Sequence, residues 1–185
     1  MNSASLAACP QQNLHRVFVY GTLLADEVIH ILLKRIPKSS AAVLNHYQRL
    51  SIKGRVYPAI IPVDSKKVSG KILFDITDTE MHILDTFEDV EYKRSTVEVS
   101  LMDSFEKLLV YAYVWCNEKD PDLYGDWDFE VETSGSEFIW MLTSRWSMTL
   151  WKSLSRSPHR NNEWPLMEVD SSSTNNPPLF RNRSI

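Results

Sequence analysis

The sequence predicts an α+β fold, a mainly β chain whose sheet could close into a small barrel, with helices beside it. Three observations carry this expectation. Strand-like runs at about 16–20, 41–52, 53–62, 68–76, 92–101 and 108–115 alternate apolar and polar residues or are bounded by turn residues. Between them, segments at about 25–35 and 80–87 space their apolar residues as a helix does. With 43% hydrophobic and 24% charged residues, the 185-residue chain has the composition of a soluble globular protein and the length to bury one sizeable core. The expected order is β-α-β-β-β-α-β-β.

Residues 1–14 are polar and aperiodic, and read as a flexible leader. The first strand, Arg16 to Tyr20, breaks at Gly21, after which apolar residues recur at helical spacing. Pro37 and the Lys-Ser-Ser that follows stop this helix. Pro58 and Pro62 confine the run around them to a sheet edge or a bulge, since proline donates no ladder hydrogen bond. Thr77-Asp78-Thr79-Glu80 is a helix start, with a capping side chain and acidic first-turn residues. In that helix, Met81, Leu84 and Glu88 fall close to one face. Tyr92–Leu101 and Leu108–Trp115 then pair as a hairpin.

Charge and composition exclude several functions. A net charge of −4 gives no reason to expect nucleic-acid binding. No apolar run approaches the roughly 20 residues of a membrane span, and the N-terminus lacks the basic region of a signal peptide. Cys9 and Cys116 make neither a disulfide framework nor a zinc spacing, and fit a reducing, cytoplasmic setting. Cys116, in a strand-like run with no basic neighbour, is expected to be a buried structural thiol. Histidines 15, 30, 46, 82 and 159 are scattered without metal-ligand spacing.

Two stretches remain that could do chemistry. The strand-glycine-helix junction at Gly21 forms a small anion cradle: N–H groups point outward where the chain turns, and Gly21 has no Cβ to block positive φ or a ligand's approach. Alone, such a junction is an ordinary connection. The second stretch places five carboxylates between Glu80 and Glu91. Such a run alone is a solvated helix end. Glu88 differs because it follows Phe87 at a helix-to-strand corner; turned inward, it would serve as a general base.

Val-Tyr-Gly-Thr-Leu at 19–23, Gly-Arg-Val-Tyr-Pro-Ala at 54–59 and Leu-Asp-Thr-Phe-Glu-Asp-Val-Glu-Tyr-Lys-Arg at 84–94 occur together in this order. Taken together they resemble the gamma-glutamyl cyclotransferase-like superfamily. The run Asp-Pro-Asp-Leu-Tyr-Gly-Asp-Trp-Asp-Phe-Glu ending at Glu130 resembles its plant branch, the AIG2-like (avirulence-induced-gene-like) proteins. The resemblance implies a domain over residues 15–130, a small mixed β-barrel with flanking helices. It implies cyclisation of a γ-glutamyl group to 5-oxoproline with release of an amine or amino acid, without metal or organic cofactor. Glu88 takes the family's catalytic position, while Val19, Tyr20, Gly21, Thr22, Leu23 and Leu24 take that of its substrate-binding loop. Asp89 stands where many relatives have Gly. Tyr57, Tyr92 and Tyr113 are candidate cavity liners, though core positions suit them better.

The implied partner is a small γ-glutamyl molecule. The alternative is a non-catalytic binding module in plant stress or defence. Residues 131–185 depart from the family pattern, as an alternative transcript end, retained intron or frameshift would. They read as a partly disordered tail, with a possible amphipathic helix at 138–151 that could offer a protein-docking surface.

Overall fold

The computed structural model describes residues 13–128. The leader through residue 12 and the tail from 131, with its candidate helix and docking surface, lie outside the described residues. Strand β1 (Leu14–Val19) leads through a single 3-10 turn (Thr22–Leu24) into helix α1 (Asp26–Leu33). Strands β2 (Ser39–Ile52) and β3 (Ala59–Thr77), helix α2 (Asp78–Glu88), and strands β4 (Tyr92–Leu101), β5 (Lys107–Trp115) and β6 (Leu123–Asp126) follow.

The sheet order is β3-β1-β5-β4-β2-β6, and an additional β2–β3 pairing closes strands β1–β5 into a ring. All pairings are antiparallel except β1–β5, so the barrel is mixed. Strand alternation divides the core in two. Phe18 of β1 and Tyr20 just beyond its end join Leu44, Ile72, Val99 and Ala112 in a cluster to which every strand of the ring contributes. Val17 and Val19 point the other way, onto a second cluster with Ile29 and Leu32 of α1 and Met81 and Leu84 of α2. Gly70 lets the strands come close, because a Cβ there would lie 2.3 Å from the Val19 carbonyl oxygen and 2.7 Å from the Phe18 ring.

The two runs at 53–62 and 68–76, expected as separate strands, are merged from Ala59 onward into the single strand β3. Its polar middle is exposed, but pairing with β2 from Ser39↔Leu73 to Leu50↔Ala59 spans it. An irregularity sits where residues 63–66 of β3 stand opposite the single His46 of β2. Pro62 lies beside it, as proline requires, and His46 takes up the bend with φ 63°. Strand β6 arises inside the acidic, turn-rich run, held by β2 alone. Cys116 is exposed rather than buried: Trp115 ends β5 pointing inward, so the next side chain points out.

Helix α1 ends at Leu33 because Lys34 turns left-handed at φ 58°. Helix α2 starts with a capping box. The Thr77 hydroxyl accepts from the Glu80 N–H at 3.2 Å, and the Glu80 carboxylate accepts from the Thr77 N–H at 2.9 Å. The same carboxylate receives Arg35 at 2.6 and 2.8 Å, and Glu80 is only 8% exposed. Hydrogen bonding from Arg35 holds the Glu80 carboxyl below its ordinary range, against the opposing effect of burial. A lowered folded-state pKa contributes stability above the unfolded value, near 4.3, and that contribution fades as pH falls through the folded value. Glu80→Gln should therefore lower stability at pH 7 by about 1–2 kcal/mol. The deficit should shrink in acid; thermal melts at neutral and acidic pH check this, and a pH-independent deficit would count against the ion pair as its source.

Candidate active site

At one end of the barrel the C-terminal ends of β1 and β5 meet the N-terminal ends of β3 and β4. A cleft opens there, lined by Phe18, Val19, Tyr20, Gly21, Thr22, Leu23, Tyr57, Pro58, Glu88, Tyr92 and Tyr113. Val19 through Leu23 and Glu88 thus lie together. Leu24 is not among the lining residues: it packs on the helix-side core and its carbonyl accepts from Lys71 Nζ at 3.0 Å.

The turn after β1 is tight. Leu24 and Ala25 donate their N–H groups back to the Gly21 and Thr22 carbonyls at 2.9 and 3.2 Å. The N–H groups that open such a turn have no partner within it, so they are the donors the turn can offer. Gly21 is required for a reason other than positive φ: its φ is −126°, and its Cβ position is filled by the Pro58 ring, with Cδ at 2.7 Å. Thr22 and Leu23 are buried, so the loop presents its backbone more than its side chains.

The tyrosines are both core and wall. Tyr20 donates to the Tyr113 carbonyl at 2.5 Å, and Tyr92 donates to the Pro58 carbonyl at 2.9 Å. The Tyr113 hydroxyl donates to Asp85 Oδ1 at 2.8 Å, and the other oxygen of Asp85 receives Arg94 at 2.7 Å. Burial, and after it the Glu88 charge, pushes the Tyr20 phenol well above its ordinary range. Burial, then the bond to Asp85, does the same for Tyr113. Both therefore stay protonated near neutrality and can donate but not act as bases. Among the described lining residues, Glu88 is the one carboxyl group, and no Lys, Arg or His joins it. The nearby cation Arg49 is engaged elsewhere, donating to the Tyr20 carbonyl at 2.6 Å and lying 5.0 Å over the Trp127 ring.

Glu88 is half-buried as the last residue of α2. The corner behind it is sharp because Asp89 sits at φ 62°, ψ −171°, a conformation that belongs to glycine. The Asp89 carboxylate accepts from the Val90 N–H at 2.8 Å, a local bond that offsets part of the strain. Asp89→Gly should raise stability by about 1 kcal/mol, or ~3–6 °C in Tm. A thermal melt showing no gain would mean that the corner is not strained.

Sequence reasoning passed over Asp85, Arg94 and Arg55. The i, i+3 spacing of Asp85 and Glu88 was a signal that both lie on one side of α2. Among the described residues, no group of three or more His, Cys, Asp or Glu could hold a metal ion. No helix among them is long and apolar enough to cross a membrane.

A family model described as gamma-glutamyl cyclotransferase, AIG2-like, matches residues 17–129. The AIG2-like protein D of Arabidopsis thaliana is 61% identical over 118 residues, 63% of this chain and 78% of that one. The solution structure of another Arabidopsis thaliana protein aligns with TM-score 0.59 and 36% identity, over 80% of this chain and 95% of its own. A solved gamma-glutamyl cyclotransferase shares the fold at TM-score 0.50 and 17% identity, over 57% of this chain and 68% of its own.

Proposed function

We infer, since the chain belongs to the gamma-glutamyl cyclotransferase, AIG2-like family, that it cyclises γ-glutamyl groups to 5-oxoproline. The observation that carries this reading is that, among the described residues lining the cleft, Glu88 is the one carboxyl group, set with the Gly21 turn among apolar side chains and tyrosines, of which Tyr20 and Tyr113 are held protonated. Nucleophile and electrophile belong to one substrate, so the site has only to fold the substrate until a five-membered ring can close.

Glu88 takes a proton from the substrate's α-amino group. The freed nitrogen attacks the γ-carbonyl carbon, the new C–N bond closes the ring, and the ring nitrogen sheds its surplus proton to water. The carbonyl oxygen, briefly an oxyanion, is held by N–H groups of the turn around Gly21–Leu23. The carbonyl re-forms as the bond to the departing nitrogen breaks, and protonated Glu88 gives that nitrogen its proton. One carboxyl group thus acts as base and then acid. With no cationic side chain among the described residues that line the cleft, the substrate's carboxylate also falls to backbone donors.

The test is incubation of the purified chain with γ-glutamyl-alanine, γ-glutamyl-putrescine, glutathione and Nε-γ-glutamyl-lysine, with 5-oxoproline as the product measured. Release from any member supports the reading. Saturable binding without release would replace it with the non-catalytic module.

A further inference from the structure

The segment between β2 and β3, residues 53–58, forms one wall of the cleft through Tyr57 and Pro58. It belongs to no strand or helix; the Lys53 N–H donates to the Asp122 carbonyl at 2.9 Å and the Arg55 N–H to the Ile52 carbonyl at 3.0 Å, and side chains hold the rest. Pro58 is fixed by the Tyr92 hydroxyl on its carbonyl, and Val56 by the Trp127 indole N–H on its carbonyl at 3.1 Å. The middle is held differently. The two terminal nitrogens of Arg55 take both oxygens of Glu91, and one of them also donates to the Tyr57 hydroxyl. The guanidinium lies 5.4 Å over the Tyr57 ring and 5.9 Å over the Trp115 ring.

Glu91 stands on the turn that follows Glu88, so this fork joins the wall carrying Tyr57 to the corner carrying the candidate base. The pair is about two-thirds covered, with side chains 34% and 29% exposed. A planar fork meeting a carboxylate on two bonds fixes direction as well as distance. A surface ion pair without those features would be worth little.

We propose that Arg55 and Glu91 are positioning residues that latch Tyr57 into the wall of the cleft that Glu88 also lines, and so set the width of the cleft for the γ-glutamyl substrate. The proposal rests on the cyclotransferase reading. Neither residue reaches the reacting atoms; both act through Tyr57. Freeing the latch leaves the two flanking anchors and the barrel in place, so substrate binding suffers while the proton transfers at Glu88 continue.

The full chain is compared as wild type, as Glu91→Gln and as the reversed pair Arg55→Glu with Glu91→Arg. The first readout is limited trypsin digestion, scored by mass spectrometry as cleavage after Lys53 and Arg55 relative to Lys107. Glu91→Gln should speed the first two cuts severalfold and leave the third unchanged. The second is steady-state kinetics on whichever panel member the wild type turns over. Glu91→Gln should raise KM roughly tenfold with kcat within about twofold, and the reversed pair should recover most of the loss in KM. Unchanged cleavage after Lys53 and Arg55 overturns the latch. Faster cleavage with unchanged KM overturns its role in binding, and a fall in kcat alone does the same. If the wild type turns over nothing, the cyclotransferase reading fails, and with it the role in binding. The digestion still decides whether the latch exists.

Discussion

Glu88→Gln should lower kcat for 5-oxoproline release by about 10²-fold or more while leaving KM within a few-fold, the loss expected when one group serves as both base and acid. The substitution is nearly isosteric, so the cleft and its tyrosines should stay in place. Removing the carboxylate also removes a charge that helps hold the Tyr20 and Tyr113 phenols protonated. Both titrate above their ordinary range mainly through burial, so neither becomes a substitute base in the variant near neutrality. The pH profile supplies a second reading of the same experiment. In the wild type, the acid limb of kcat/KM should report the base, and that limb should vanish from whatever activity Glu88→Gln retains. A variant as fast as the wild type would remove Glu88 from the chemistry altogether.

Gly21→Ala should reduce kcat/KM at least tenfold and cost about 1–3 kcal/mol of stability. The added methyl would sit 2.7 Å from Pro58 Cδ and 2.8 Å from Cγ. Pro58 is buried, its ring is stiff, and its carbonyl is held by Tyr92, so it cannot step aside cheaply. Either the turn after β1 withdraws, taking its N–H donors away from Glu88, or Pro58 moves and carries Tyr57 with it. Both outcomes change the cleft. Gly54→Ala is the control, because its Cβ would meet nothing within 4 Å and it pays only for its φ of 73°. Full activity in Gly21→Ala would show that the turn is looser than its contacts imply.

How much of this was legible in the sequence divides along the range of the interactions. Strands β1, β2, β4 and β5, both helices, the Thr77 cap and the glycine turn are written in neighbouring residues, and they form close to where the pattern puts them. The three motifs at 19–23, 54–59 and 84–94 each contribute to one cleft, and the sequence could pair them only by resemblance. The acidic run from Glu80 to Glu91 shows what local pattern lacks. Glu80 is claimed by Arg35, 45 residues away, Asp85 by Arg94, 9 away, and Glu91 by Arg55, 36 away. Those assignments tie three carboxylates of the run to distant cations, and no spacing within the run reveals them; what sets Glu88 apart is its place among the residues that line the cleft. The unbroken length of β3 was hidden for a similar reason: its exposed middle is extended because β2 lies beside it, not because its own residues alternate.

The one parallel pairing in the ring has a consequence for how the chain is made. β1 emerges from the ribosome first, yet Val17 and Phe18 find their neighbours Tyr111 and Ala112 only after almost the whole barrel has been translated. At ordinary elongation rates that leaves an apolar strand edge waiting on the order of ten seconds. Local order in the first hairpin, β2 with β3, can form during that interval, but the final seam cannot. A nascent chain stalled before β5 therefore carries a half-built sheet with an unpaired apolar edge, the kind of edge on which chains aggregate.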